Sequence, residues 1–391
     1  MVASAMRGVF FCVAVLVSIP PSNGKELAAL RYDVWDDVIT VPVRVVGEAC
    51  WFVVDTGSSG TFIDASLRHK LGPVLGTRMV NGNVPVALYA SPLFEIGEFA
   101  IRSDQAIGCA SLESFHGPGI KQVRGVIGMD LLREFILQLD PDHTTISLLK
   151  AGTTPQTDWG TELEIDLDES QRPTIEARVN NDNVIKFVID LGDANTADLA
   201  LAEVDKLIAR DQDSLKSIGL VARARLTTTV QEIAVRATSF TVGPYVHANL
   251  VFIQSDGSRL GLHYLRRYKA TFDFPRRTLY LKPSKHFFEY DYSHDGLMVF
   301  SQEDERRGHK LGVFDKSPAA RAGIRNYDLL LEVDGLATNT MAGTKLMRYF
   351  QLMVTHDISL LIQRGEQKMR FRLPRGKRIG RINEAVNQEQ Q

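Results

Sequence analysis

The run Phe52-Val53-Val54-Asp55-Thr56-Gly57 returns 135 positions later as Phe187-Val188-Ile189-Asp190-Leu191-Gly192, with apolar residues, acid and glycine in the same places. Val126-Ile127-Gly128, followed by Leu131-Leu132, is echoed 133 positions on by Arg259-Leu260-Gly261, followed by Tyr264-Leu265. Asp140, between two apolar runs, is matched by Asp273 at the same offset of 133. Three anchors at a nearly constant offset indicate an internal duplication, which constrains a fold more than local propensity does. Two copies, each with one Asp on an equivalent turn, are what a pseudo-twofold site needs.

Locally, Trp51 to Val54 reads as a buried strand, because aromatic and β-branched side chains suit a covered pleated surface. It ends on Asp55 and then on Thr56-Gly57-Ser58-Ser59-Gly60, which is turn chemistry. A carboxylate at the mouth of an apolar strand is costly to bury without donors around it, and the glycines and hydroxyls that follow can supply them. This stretch resembles the Asp-Thr-Gly turn of aspartic proteases, closest to the retropepsin-like branch. With the second copy, the resemblance is to a two-lobed, single-chain enzyme over roughly residues 33 to 284. The implied fold is mainly β: one lobe over 33–150, a second over 151–284.

The charge is nearly balanced at −2 with no basic stripe, so nucleic acid is not expected as a partner. Residues 1–24 read as a signal peptide, with Arg7 before an apolar core from Val9 to Ile19 and small residues after it. That core is shorter than the ~20 residues a membrane span needs. The expectation is an exported protein, periplasmic or extracellular, with no membrane span in the mature chain. Residues 25–32 are too few for a substantial prosegment. Cys50 and Cys109 would remain, and one disulfide or two buried thiols are equally open.

Within the first lobe, residues 61–72 carry a short helical pattern, and 78–108 read as strands broken at Asn81-Gly82-Asn83, a hairpin signal. By resemblance this hairpin is the flap over the substrate; Tyr89, on it, reads better as a core tyrosine. Gly125-Val126-Ile127-Gly128 matches the family's element behind the catalytic turn, where glycine allows close backbone approach. Residues 151–173 are polar and read as the connection between lobes. The second lobe is expected to run from strand to the Asp190 turn, a helix over 198–210, strands over 221–255 and the Gly261 element.

After a linker over 285–295 the character changes. Ser317-Pro318-Ala319-Ala320-Arg321-Ala322-Gly323-Ile324, then Asp328 to Val333 and Asp334-Gly335, resembles a PDZ domain of the bacterial protease type over 296–374. Tyr327 stands where that family usually has glycine. The resemblance implies binding of peptides or C-terminal segments by strand addition, with Gly296, Leu297, Met298 and Val299 at the peptide groove. A plain strand packed on the protease is the alternative for these residues. The tail 375–391 is basic, then Gln-rich, and reads as disordered.

The family likeness implies Asp55 and Asp190 as a catalytic pair on polypeptide substrates, one carboxyl serving as base toward water while the other supplies a proton. Thr56, Gly57, Ser58, Gly192, Gly128 and Gly261 would support the turns. Ser58 would hydrogen-bond the outer oxygen of Asp55, and Thr56 would reach the backbone of the opposite turn. No metal or cofactor is expected, since the histidines lack paired spacing. The second turn departs from the pattern: Leu191 replaces Thr, and Asp193 stands in the place of Ser58. A non-catalytic peptide-binding protein is therefore the competing expectation; pairing of Asp55 across a homodimer fits less well, because the second copy already fills the partner position.

Overall fold

The computed structural model describes residues 26–373 apart from 33–37, 81–83, 113–122, 181–182, 211–215, 225–228, 249, 290–296, 301–307, 314–317, 342, 344–345, 347–348 and 351–356. The expected leader, the hairpin turn expected at Asn81-Gly82-Asn83, Gly296 and the tail 375–391 lie outside the described residues. The fold is mainly β.

The two copies of the sequence pattern build two sheets with the same strand order. The first runs Gly76–Val80, Val84–Tyr89, Ile107–Ala110, Phe62–Asp64, Val123–Ile127, Glu48–Val54, Thr40–Val45, Phe94–Ile96, Phe99–Ile101. The second runs Lys216–Ala224, Thr229–Arg236, Val251–Ser255, Ala197–Ala200, Arg259–Leu260, Asn183–Ile189, Pro173–Val179, Phe240–Val242, Tyr245–His247. In both, the strand before the Asp turn pairs in parallel with the strand before the Gly element: Val54 with Ile127, and Ile189 with Leu260. The core repeats as well. Phe52 meets Phe94 edge-on at 5.8 Å, and Phe187 meets Phe240 edge-on at 5.6 Å. All four rings are fully buried, and such pairs stabilise beyond their area burial.

A six-stranded sheet joins the copies, in the order Glu26–Arg31, Thr145–Lys150, Phe135–Asp140, Tyr268–Asp273, Thr278–Pro283, Thr161–Glu164. The segment just after the expected leader is thus an edge strand of this sheet. The polar stretch 151–173 is not a plain connection: Thr161–Glu164 pairs with Thr278–Leu281, and Asp166–Leu167 with Pro173–Thr174. The helical pattern over 61–72 resolves into the strand Phe62–Asp64 and a 3₁₀ helix Ala65–Lys70. The Asp64 carboxylate caps that helix by accepting from the Ser66 N–H. In the second copy, Ala197–Ala200 is strand and the helix covers Leu201–Arg210.

The C-terminal strands run Leu297–Phe300, His309–Val313, Leu329–Val333, Ile358–Arg364, Gln367–Leu373, around a separate core that includes Leu297, Leu311, Leu330, Ile358 and Leu360. Pro318–Arg321 forms a short helix, and Val333 pairs with Leu336 across Asp334-Gly335, both at positive φ as a tight hairpin turn requires. Tyr327 also has positive φ, at 69°, which is why glycine suits that position. No helix among the described residues is long and apolar enough to cross a membrane.

Candidate active site

Both Asp turns begin where an apolar strand runs out. The Asp55 N–H donates to Ile127 O at 3.0 Å, and the Asp190 N–H to Leu260 O at 2.9 Å. Behind each turn, glycine is required by contact: a β-carbon on Gly128 would overlap the Gly60 carbonyl, and one on Gly261 the Asn195 carbonyl. Each of these glycines precedes a one-turn helix, whose first N–H (Met129 or Leu262) donates to the carbonyl of Ser58 or Asp193.

The turns face each other closely. A β-carbon on Gly57 would overlap the Asp190 carboxyl, and one on Gly192 would overlap that of Asp55. The two carboxyl groups are close enough to act on each other directly. Asp55 Oδ1 accepts from the Ser58 N–H at 2.9 Å, with the Gly57 backbone also contributing; Asp190 Oδ1 accepts from the Gly192 N–H at 2.9 Å. Thr56 is fully buried, and its hydroxyl crosses between copies, donating to Ile189 O at 2.7 Å and accepting from the Leu191 N–H at 3.0 Å. The buried apolar Leu191 side chain offers no hydroxyl for the return link.

Ser58 meets Asp55 through its backbone and not its hydroxyl. Its hydroxyl donates to Gly60 O at 2.7 Å, closing its own turn, and it is the Ser58 backbone N–H that reaches Asp55. Asp193 uses Oδ1 to accept from the Asn195 N–H at 3.1 Å. Cys50 and Cys109 are free and buried, so the possible disulfide is not formed; they lie on Glu48–Val54 and Ile107–Ala110, separated in the sheet by Phe62–Asp64 and Val123–Ile127. Tyr89 is a core residue. Leu297 is buried and Val299 half-buried on the edge strand Leu297–Phe300, which also carries Met298; all three are far in sequence from the turns.

Burial pushes the Asp55 carboxyl above the usual range, against the opposing effects of Asp190, Gly57 and Ser58. Burial, then the charges of Asp55 and Asp193, hold Asp190 well above it, while Arg259 pulls the other way. Arg259 is the residue that the sequence reading passed over. Its Nε lies 3.9 Å from Asp190 Oδ2, and its guanidinium also meets Asp198 at 3.4 Å and Asp256 at 2.8 Å. The available signal was a cation in the otherwise apolar pattern before Gly261, where the first copy has Val126.

Two closely opposed, half-buried carboxyl groups, each on an Asp-x-Gly turn, can serve as an acid and a base toward one bound molecule. The family described as aspartyl protease matches residues 41–131, the span holding Asp55, Thr56, Gly57, Ser58 and Gly128. This part of the chain is similar to aspartyl protease domains; Asp190 and Gly261 lie outside the match. No curated protein matches the chain.

Proposed function

We propose that the protein is an aspartic endopeptidase in which Asp55 and Asp190 together activate one water molecule. The carrying observation is the close opposition of the two Asp turns, each glycine set against the other turn's carboxyl, with the Thr56 hydroxyl linking the two copies. Like charges this close do not both ionise readily, so the pair shares a proton near working pH. Aspartic protease dyads are the standard example of such sharing, so this step rests on the general behaviour of close carboxyl pairs as well as on the geometry. The ionised carboxyl takes a proton from water as its oxygen attacks the peptide carbonyl carbon. The protonated carboxyl donates to the carbonyl oxygen. Collapse of the tetrahedral adduct breaks the C–N bond, with the leaving nitrogen protonated from the pair.

The equal strand orders of the two sheets support a bilobed unit over 33–150 and 151–284 that arose by duplication. The separate C-terminal core supports a PDZ domain over 296–374 that binds extended peptide at the strand Leu297–Phe300 and so delivers substrate. The leader-like residues 1–24 support export to the periplasm or the exterior.

A second reading has its own observation. Leu191 leaves the crossing hydroxyl link one-sided and Asp193 adds a charge beside the pair, which favours a peptide-binding protein without catalysis. Residues 25–391 incubated with an unfolded protein from pH 3 to 8 decide between them. Cleavage lost in both Asp55→Asn and Asp190→Asn supports the two-carboxyl enzyme. Peptide binding without cleavage at any pH supports the second reading.

A further inference from the structure

We propose that Arg259 is a positioning residue for the second carboxyl: its guanidinium is a built-in counter-charge that offsets Asp193 and lets Asp190 ionise beside Asp55. The inference rests on the reading of Asp55 and Asp190 as the working pair. The two copies supply the argument. The first turn has Ser58 where the second has Asp193, and the first sheet has Val126 where the second has Arg259. The first copy has neither charge; the second has both. An acid added beside a buried carboxyl raises the cost of ionising it, and a cation at similar range lowers that cost.

The guanidinium is held where this opposition works. Arg259 registers in parallel with Val188, two residues before Asp190, so its side chain starts beside the base of the turn. Its side chain is 22% exposed, which limits solvent screening. Besides Asp190 it meets Asp198, Asp256, the Ser255 hydroxyl at 3.0 Å and the Gly257 carbonyl at 3.5 Å. Asp198 is fully buried and in turn accepts from Asn195 Nδ2 at 3.2 Å, while the Asn195 N–H caps Asp193. Asp193, Asn195, Asp198, Arg259 and Asp190 therefore form one connected chain of polar contacts. The charged groups acting on Asp190 are Asp55 from the opposite turn, Asp193 from its own turn and Arg259 from the neighbouring strand. Those acting on Arg259 are Asp190, Asp198 and Asp256.

The test reads the ionisation of Asp190 directly, without requiring cleavage. In the Asp55→Asn protein one carboxyl of the pair remains, and the 13C carboxyl signal of Asp190 is followed against pH. Adding Arg259→Gln is expected to raise the midpoint by about one pH unit, given that an adjacent Arg shifts Asp by about one to three units and this one is shared among three acids. Arg259→Lys, which keeps the charge, is expected to restore most of the midpoint. Asp193→Asn is expected to lower it, and the double change Asp193→Asn with Arg259→Gln to bring it back toward the starting value. A merely structural Arg259 would give a Gln variant that melts earlier with an unmoved midpoint, and that result overturns the proposal. If Arg259→Gln does not fold, the Lys and Asn variants decide: a midpoint indifferent to Asp193→Asn, or displaced upward by Arg259→Lys as far as by full loss of an adjacent cation, overturns it. Where the midpoints move as stated but wild type cleaves nothing at any pH, the positioning role stands and the enzyme reading fails.

Discussion

Gln138 Nε2 donates to Thr271 Oγ1 at 2.8 Å, and these two residues, 133 positions apart, are register partners at the middle of the six-stranded sheet. The separation equals the offset of the sequence anchors, so each is the other's counterpart. Leu137 pairs with Phe272 and Leu139 with Ala270, an arrangement that reads the same from either copy. A local twofold axis passes through the Gln138–Thr271 contact. The same symmetry sets Gly57 against Asp190 and Gly192 against Asp55.

Thr56 carries the hydroxyl link between the two turns. Thr56→Val keeps the shape and removes both hydrogen bonds, leaving Ile189 O and the Leu191 N–H buried without that partner. The expected cost is about 2–3 kcal/mol. A urea unfolding midpoint that falls with an unchanged slope checks it.

Gly57→Ala and Gly192→Ala push a methyl group into the opposite carboxyl. Displacement of the pair by a fraction of an ångström to one ångström is expected to lower the cleavage rate by about 100-fold. Gly72→Ala, at a site with open space, is the control expected to leave the rate unchanged.

The pair also makes stability depend on pH. Both carboxyls are raised in the folded protein, so the folded state binds more protons than the unfolded one above the ordinary carboxylate range. Their contribution is fully present below the unfolded value of about 4 and is lost as pH rises through the folded values. Asp190→Asn removes that loss. Its melting temperature is expected to exceed that of the unaltered protein at pH 7, with the difference shrinking as pH falls toward 4. Equal melting temperatures at pH 7 would count against a strained pair.

Tyr327 holds a left-handed backbone conformation and is 42% exposed. That conformation costs a non-glycine residue about 1–2 kcal/mol, partly offset by the greater unfolded-state entropy of glycine. Tyr327→Gly is expected to stabilise the C-terminal strands by about 0.5–1 kcal/mol, measured by hydrogen exchange of the Leu329–Val333 amides.

The buried thiols Cys50 and Cys109 are unbonded. Burial raises the Cys50 thiol above its usual value, which lowers its reactivity further. Residues 25–391 are expected to take up two alkyl groups after unfolding and none while native, with no change in melting temperature on adding a reductant. Mass spectrometry counts the adducts.

The two Asp turns and the glycines at 57, 128, 192 and 261 were legible because each is a local demand: a strand that must end, a turn that must be tight, a backbone that must come close. The β class followed for the same reason, from short apolar runs and their punctuation. Which Ser58 atom meets Asp55 was not legible, because a hydroxyl in a turn has several acceptors within reach: the folded turn directed it to Gly60 O and left Asp55 to the Ser58 N–H. Glu26–Arg31, whose Leu and Ala residues suit a helix as well, and the short Thr161–Glu164 become strands because the six-stranded sheet offers them an edge. The state of the cysteines depended on which strands intervene between them. Arg259 reads as an ordinary surface cation until the parallel register with Val188 sets it beside Asp190. Sequence alone determined the parts whose requirements lie within a few residues. Tertiary structure decided the partners of each polar side chain, because those partners come from segments far along the chain and are set by register and packing.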